Sequence, residues 1–232
     1  TPATKLLVID HISSSSSLIF PIEDIIKGCH ARDVMVLVDG AHGPGMLDLQ
    51  IDAIGADWYV GNLHKWVCAP LGAGFVWTDK DHRETTHPMT VSHFLSMSYK
   101  EEFDWQGTRD ISPWLTAADA VKWGDSIGWD SIRTHNHSMA VWMQERLVEA
   151  WGVEPLSPLD GSLIGNMATV QLPVRFLSEM EACITLRDEI YLKHHLEIHI
   201  VSFLNLAVVR VSGQLYTKGE DIEALIKIIK KC

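Results

Sequence analysis

The chain has 232 residues, of which 47% are apolar and 21% are charged, and its formal net charge is −11 at pH 7. This length can bury one sizeable core or two smaller ones, whereas an acidic chain without a basic stripe disfavours nucleic-acid binding. No apolar run approaches the roughly 20 residues that span a bilayer, so we expect no association with a membrane.

The first hundred residues alternate between strand-like and helix-like segments. Apolar runs predict four strands, at residues 5–10, 34–39, 57–60 and 74–78. The first is interpreted as a buried strand, and the second, apolar on both faces, suits a parallel strand covered by helices. Between them, Pro21 followed by acidic residues is typical of a helix N-terminus. This alternation predicts an α/β fold with a mostly parallel sheet.

The pattern changes near residue 114 to that of a smaller α+β unit. Helices are predicted at residues 114–127, 131–151, 178–194 and 219–231, and strands at residues 167–172, 197–203 and 206–212. The last helix carries apolar residues at positions i, i+3, i+4 and i+7, which predicts one buried face. We therefore expect two domains, 1–112 and 113–232.

The cysteines predict neither a disulfide framework nor a structural zinc site. There are four, far apart and without C-x-x-C spacing, at Cys29, Cys68, Cys183 and Cys232. A reducing compartment fits this usage, and we expect a cytoplasmic protein.

Polar residues follow several predicted strands, where open α/β sheets bind ligands. Asp39 ends a strand and could cap the next turn or hold a cationic ring nitrogen or a metal. Lys65 follows a later strand and could be a surface lysine or a desolvated nucleophile. Together, a lysine and a carboxylate across one crevice match the needs of pyridoxal phosphate, which takes a Schiff-base amine and an acid beside its ring nitrogen.

Three stretches then carry a family resemblance: VLVDGAHGPGMLDLQIDAIGADWYVGNLHKWVCAPLGAGFVW, FDWQGTRDISPWL and VRVSGQLY. They resemble the class V aminotransferase family of fold-type I pyridoxal phosphate enzymes, in the branch that includes isopenicillin N epimerase-like, cysteine desulfhydrase-like and sulfoxide-lyase-like proteins. The resemblance implies that 1–112 is part of the cofactor-binding large domain, and that a linking helix and a small α+β domain form 113–232. It also implies pyridoxal 5′-phosphate as the cofactor, an amino-acid substrate and a homodimer.

The resemblance implies roles around the cofactor ring. Lys65 would form the Schiff base with the cofactor and later move the Cα proton, and Asp39 would pair with the pyridine nitrogen. His42 would hydrogen-bond the phenolic oxygen, and Ser14 would touch the same oxygen.

Further roles concern the phosphate and the substrate. Asn62 and His64 would approach the phosphate, and Thr108 would reach the phosphate of the neighbouring subunit. Arg210 would clamp the substrate carboxylate, although without the resemblance a charge on an edge strand is the favoured interpretation. Arg109 has two interpretations, a substrate contact or an ion pair that links the domains.

The function expected from this resemblance is a C–S lyase of the desulfhydrase or sulfoxide-lyase kind. An amino-acid epimerase is the alternative, since both reactions begin by removing the Cα proton. Family members carry a long amino-terminal part that this chain, beginning at Thr1, lacks. We therefore expect a fragment, and a truncated non-catalytic remnant is a further alternative. A metal hydrolase using His11, Asp39, His42 and His64 lacks a recognised ligand spacing, and no metal is expected.

Overall fold

The computed structural model describes all residues, 1–232. Its elements, in chain order, are β1 (Leu6–Asp10), α1 (Ile22–His30), β2 (Met35–Gly40), α2 (Ile51–Ile54), β3 (Trp58–Asn62), β4 (Gly74–Thr78), α3 (Tyr99–Asp104), α4 (Ser112–Ile127), α5 (Trp129–Trp151), β5 (Met167–Gln171), α6 (Met180–His194), β6 (His199–Phe203), β7 (Leu206–Ser212) and α7 (Gly219–Lys231). None of these helices combines the length and apolar character that a bilayer crossing requires.

The chain forms two compact units. The first comprises Thr1–His11 and Pro21–Ser126, and the second comprises Ile12–Phe20 and Ile127–Cys232. This division falls after α4, because Ala117 of α4 packs against alanines of the first unit. The expected domains 1–112 and 113–232 stay a prediction. The short segment Ile12–Phe20 belongs to the second unit because Leu18 pairs with Ile164, in the loop before β5, and Ser17 hydrogen-bonds to Thr169 of β5.

The first unit is built on a four-stranded sheet of order β1-β2-β3-β4. β1, β2 and β3 are parallel, and β4 returns antiparallel to β3. Val36, Val38 and Tyr59 are fully buried in the two central strands. The prediction of a buried first strand is wrong, since β1 is an edge strand in which Val8 is 61% exposed. An apolar run alone does not reveal whether a second neighbour covers it.

The second unit is built on a three-stranded antiparallel sheet of order β5-β7-β6. Its buried face includes Val170, Val209 and Ile200, which join one core with α5, α6 and α7. The face predicted for α7 is confirmed, because the residues spaced at i, i+3, i+4 and i+7 are all buried: Ile222, Leu225, Ile226 and Ile229. β7 lies in the middle of this sheet, which places Arg210 on a central strand.

Candidate active site

Parallel strands bring polar side chains to one edge of the first sheet. β1 ends at Asp10, which lies opposite Asp39 of β2 in the strand register, and β3 ends at Asn62. Asp39 is held by its own turn, since its Oδ1 accepts a hydrogen bond from the Ala41 N–H at 2.9 Å. The carboxyl ends of parallel strands are where open α/β sheets bind ligands, so this edge is the candidate site.

Asp10 also belongs to this edge, although it is not among the site residues predicted from the sequence. Partial burial raises the pKa of its carboxyl, the charge of Asp39 raises the pKa further, and Lys65 lowers it. Asp10, Asp39 and Lys65 are therefore three titratable groups that share one electrostatic environment. The signal was present in the sequence, because Asp10 ends an apolar run just as Asp39 ends the next one.

The loop after β3 brings Lys65 against His42, which lies in the turn after β2. Lys65 Nζ is 3.3 Å from His42 Nε2. The next residue, Trp66, donates a hydrogen bond from Nε1 to His42 Nδ1 at 3.2 Å. His42 and Trp66 are each 8% exposed. The imidazole of His42 is therefore held between an indole N–H and a primary amine.

Tyr59 supports the turn that carries Asp39 and His42. Its hydroxyl lies 3.1 Å from His11 Nδ1, and burial, with the charge of Asp39, raises the pKa of the phenol. Burial also lowers the pKa of the His11 imidazole. A Cβ added to Gly40 or Gly43 would come within 2.0 Å or 2.3 Å of the Tyr59 side chain. Both positions therefore require glycine, because any larger residue would collide with the Tyr59 side chain.

The proposed phosphate residues follow the same strand. Asn62 ends β3, and His64 follows two residues later, with both side chains half-buried. The His64 Nδ1–H donates to the Ala73 carbonyl oxygen at 2.9 Å. This bond orients the ring and leaves Nε2 for a second partner.

Ser14 and Arg210 lie together in the second unit. Arg210 Nη1 donates to the Ser14 carbonyl oxygen at 2.8 Å and to Ser14 Oγ at 2.7 Å. Ser17 and Thr169 fix the same segment through a hydroxyl contact of 2.8 Å. The interpretation of Arg210 as an edge-strand charge is wrong, because β7 pairs on both sides. Burial lowers the pKa of Arg210, and its buried Nε has no hydrogen-bond partner in the structure.

Thr108 and Arg109 lie on the exposed surface of the first unit. The Arg109 guanidinium lies over the Trp114 ring, 4.5 Å from its centroid. Its Nη1 also donates to Gln106 Oε1 at 2.9 Å. These contacts are local, and both predicted roles of Arg109 stay predictions.

The residues considered for a metal hydrolase do not form a metal site. Nowhere in residues 1–232 do three or more His, Cys, Asp or Glu side chains come together in a way that could hold a metal ion. The imidazoles at the sheet edge are instead engaged elsewhere, His11 with Tyr59 and His64 with the Ala73 carbonyl.

Comparison with known proteins identifies relatives along nearly the whole chain. The family model described as aminotransferase class-V matches residues 1–225. The isopenicillin N epimerase of Amycolatopsis lactamdurans is 28% identical over 99% of this chain and 60% of its own length. The L-cysteine desulfhydrase of Arabidopsis thaliana is 33% identical over 95% of this chain and 53% of its own length.

A solved structure shares the fold. A C-DES mutant with glycine covalently linked to its PLP cofactor superposes with a TM-score of 0.79 at 16% identity, over 99% of this chain and 61% of that chain. The fold is thus that of part of a fold-type I pyridoxal phosphate enzyme. The chain spans between half and about three fifths of the length of the relatives it matches.

Proposed function

The chain belongs to the class V aminotransferase family, and we propose that the protein uses pyridoxal 5′-phosphate to break a carbon–sulfur bond at Cβ of an amino acid. One observation carries the proposal. Lys65 Nζ lies 3.3 Å from His42 Nε2, at the sheet edge that also holds Asp39.

The donor set at this edge fits the cofactor. Pyridoxal 5′-phosphate presents an aldehyde, a pyridine nitrogen and a phenolic oxygen, and the edge offers the amine of Lys65, the carboxylate of Asp39 and the imidazole of His42. When bound, the cofactor supplies an electron sink that acidifies the Cα proton of an attached amino acid. Each cofactor group therefore has a complementary residue among those predicted from the sequence.

Each residue of this set has a defined task. Asp39, fixed by the Ala41 N–H, keeps the ring nitrogen protonated by pairing with it. His42 donates to the phenolic oxygen, and Lys65 Nζ takes the Cα proton and holds it. Asp10, in the same electrostatic environment as Lys65, adds negative charge beside that amine.

The substrate contact is proposed from the family resemblance. We assign the substrate carboxylate to Arg210, whose fork can donate two parallel hydrogen bonds and whose Nε has no partner in the structure. Ser14 Oγ accepts from Arg210 Nη1, so its own hydrogen is available for the phenolic oxygen of the cofactor.

The phosphate is assigned to Asn62 and His64, with Thr108 contributed by a second copy of the chain. His64 has its Nδ1–H engaged by Ala73, so Nε2 is the ring nitrogen that would bind the phosphate. Thr108 is exposed, as a residue that reaches into a neighbouring subunit must be. The protein is therefore a homodimer in this proposal.

Two reactions share the first proton transfer. Loss of a sulfur group from Cβ gives a lyase, whereas return of the proton to Cα on the opposite face gives an epimerase. The lyase is favoured because a relative at 33% identity is an L-cysteine desulfhydrase. The epimerase is retained because an isopenicillin N epimerase is 28% identical over 99% of the chain.

The cofactor assignment is tested by spectroscopy and mass mapping. The protein is mixed with pyridoxal 5′-phosphate, its visible absorbance is recorded before and after borohydride, and the labelled peptide is sequenced. We expect a visible band that borohydride bleaches, with the label on Lys65. Lys65→Ala should abolish the band, whereas Lys122→Ala, which removes an exposed amine on α4, should keep it. Absence of the band in the unmodified protein contradicts the assignment.

The reaction is tested on the loaded protein with sulfur amino acids. Release of sulfide and pyruvate from L-cysteine supports the lyase. Exchange of the Cα proton with solvent deuterium and inversion at Cα, without release of sulfur, supports the epimerase instead. Cofactor binding without either reaction supports a non-catalytic remnant of the fold.

A further inference from the structure

Trp66 makes a contact that the proposed function does not use. Its indole Nε1–H donates to Nδ1 of His42 at 3.2 Å, on the opposite side of the imidazole from Lys65 Nζ. The two rings are tilted by 52° with centroids 6.5 Å apart, so the contact is a hydrogen bond along the ring edge and not a stack.

The indole is fixed in this position by its surroundings. Trp66 is 8% exposed, and Gly45, with φ of +79°, lies so close that an added Cβ would sit 2.8 Å from the Trp66 carbonyl carbon. Only a glycine allows this approach, because a side chain would clash and the left-handed backbone would be strained. The loop after β2 therefore holds the backbone of Trp66.

Hydrogen-bond chemistry then assigns the proton on His42. An indole nitrogen can only donate, so Nδ1 of His42 must keep its lone pair as the acceptor. A neutral imidazole carries one proton, which therefore lies on Nε2. An imidazolium has no lone pair on Nδ1, and the indole N–H disfavours that form.

The same reasoning assigns the protonation state of Lys65. The Nε2–H of His42 points at Lys65 Nζ, 3.3 Å away. An ammonium has three donors and no acceptor, so Lys65 can receive this hydrogen bond only as an uncharged amine. That is the form of lysine that reacts with a carbonyl carbon.

We propose that Trp66 is a positioning residue that holds His42 in its Nε2–H tautomer and thereby aligns the lone pair of Lys65 for attack on an aldehyde. This rests on the proposed function only for the identity of the aldehyde. In the reaction concerned, Nζ would form a carbon–nitrogen double bond with the aldehyde carbon, and its two hydrogens would leave with the aldehyde oxygen as one molecule of water. The Nε2–H then remains to donate to the phenolic oxygen.

The tautomer is measured directly by ¹⁵N NMR of the histidine rings in the unloaded protein. His42 is identified by comparison with a His42→Gln variant. We expect a protonated Nε2 and an unprotonated Nδ1. A protonated Nδ1 or a doubly protonated ring at neutral pH overturns the proposal, whether or not the protein binds the cofactor.

A matched pair of variants tests the role of the indole. Trp66→Phe removes the N–H and keeps an aromatic ring, whereas Trp77→Phe removes the N–H that donates to Asp52 Oδ1 at 2.8 Å elsewhere in the same unit. We expect Trp66→Phe alone to mix the two tautomers of His42. Unchanged tautomers in Trp66→Phe contradict the proposal.

The reactivity of Lys65 is the second readout. Pyridoxal 5′-phosphate and cyanoborohydride are added, and modification of the Lys65 peptide is followed by mass spectrometry. Loss of one hydrogen bond predicts labelling that is about 3- to 10-fold slower in Trp66→Phe, with no change in Trp77→Phe. Equal rates of Lys65 labelling in Trp66→Phe and Trp77→Phe would contradict an effect of the indole on the reactivity of Lys65. Absence of any Lys65 label in the unmodified protein contradicts the proposed function but leaves the tautomer result standing.

Discussion

At the scale of single residues, Asp57 shows how one carboxylate joins distant segments. It accepts hydrogen bonds from the His30 and His82 rings at 2.9 and 2.8 Å and from the Val36 N–H at 2.6 Å. Burial alone would raise the pKa of this carboxyl, but the bonds from His30, Val36 and His82 outweigh it and lower the pKa. The charged form of Asp57 therefore stabilises the fold.

This gives a prediction about stability and pH. A lowered pKa in the folded chain means that the stabilisation is present above the unfolded value of about 3.9 and is lost as the pH falls through the folded value. We expect Asp57→Asn to lower the free energy of unfolding by about 1–3 kcal/mol at neutral pH, with the difference shrinking below about pH 4. Urea denaturation at several pH values measures this.

The control for Asp57 is Asp24→Asn, which removes an exposed carboxylate paired only with Lys27 three residues later. Exposed pairs of this kind contribute little, so the control should stay close to the unmodified protein at every pH. A pH-independent loss in Asp57→Asn would contradict the electrostatic reason.

A second prediction at this scale concerns Arg210. Lysine keeps the charge but cannot form the two parallel bonds of a guanidinium. We expect Arg210→Lys to raise KM for the amino-acid substrate about 10- to 100-fold with a smaller change in kcat. Steady-state kinetics of the loaded protein measures this, and Arg187→Lys, which alters a partly exposed arginine paired with Asp188, is the control. A fall in kcat with unchanged KM would remove Arg210 from the substrate site.

At the scale of elements, the contact between β2 and β3 fixes the candidate site. The Tyr59 ring lies under the β2 turn. A Cβ added at Gly40 would meet different atoms of Tyr59 from a Cβ added at Gly43. At Gly40 they are ring carbons of Tyr59 at 2.0 Å, whereas at Gly43 the nearest atom is the Tyr59 hydroxyl oxygen at 2.3 Å and the next lie at 3.2 Å.

This difference predicts a selective rescue. Gly40→Ala and Gly43→Ala should both be destabilising, because the Tyr59 ring is buried and cannot move away. Adding Tyr59→Phe should restore much of the stability of Gly43→Ala, since it removes the clashing oxygen, and should not restore Gly40→Ala. Melting temperatures of the two double variants measure this, and equal rescue of both would contradict the geometry.

The elements also show where sequence patterns succeed. β4, β7 and α7 have the predicted bounds. β7 is a seven-residue, mostly apolar run and α7 is strongly periodic, whereas β4 is a short apolar run beside turn glycines. α2 and α3 were missed, since helices of four and six residues show little periodicity. α3 depends instead on local polar contacts, with Ser98 capping its first turn and Glu102 accepting from the Ser96 N–H at 2.7 Å.

At the scale of the whole molecule, the proposal of a shared phosphate site can be tested by mixing subunits. Lys65→Ala and Thr108→Glu should each be inactive as homodimers. If Thr108 serves the neighbouring subunit, random re-association makes half of the dimers mixed, each with one complete site, so about one quarter of full activity returns. Activity after mixing, unfolding and refolding measures this. No recovery, with mixed dimers verified by mass, would place Thr108 in its own subunit's site.

The sequence by itself determined the fold class and the family, and it predicted the residues proposed here to carry the chemistry. Lys65, Asp39 and His42 are specified by local motifs at strand ends, and such motifs can be recognised without coordinates. Tertiary structure decided the rest, because it depends on contacts between residues far apart in the chain. Asp10 meets Asp39 only through strand register, and Tyr59 supports the β2 turn only through sheet pairing. The central position of Arg210 likewise follows from the order β5-β7-β6. Trp66 and His42 meet because two loops end at one sheet edge, and no periodicity encodes that contact.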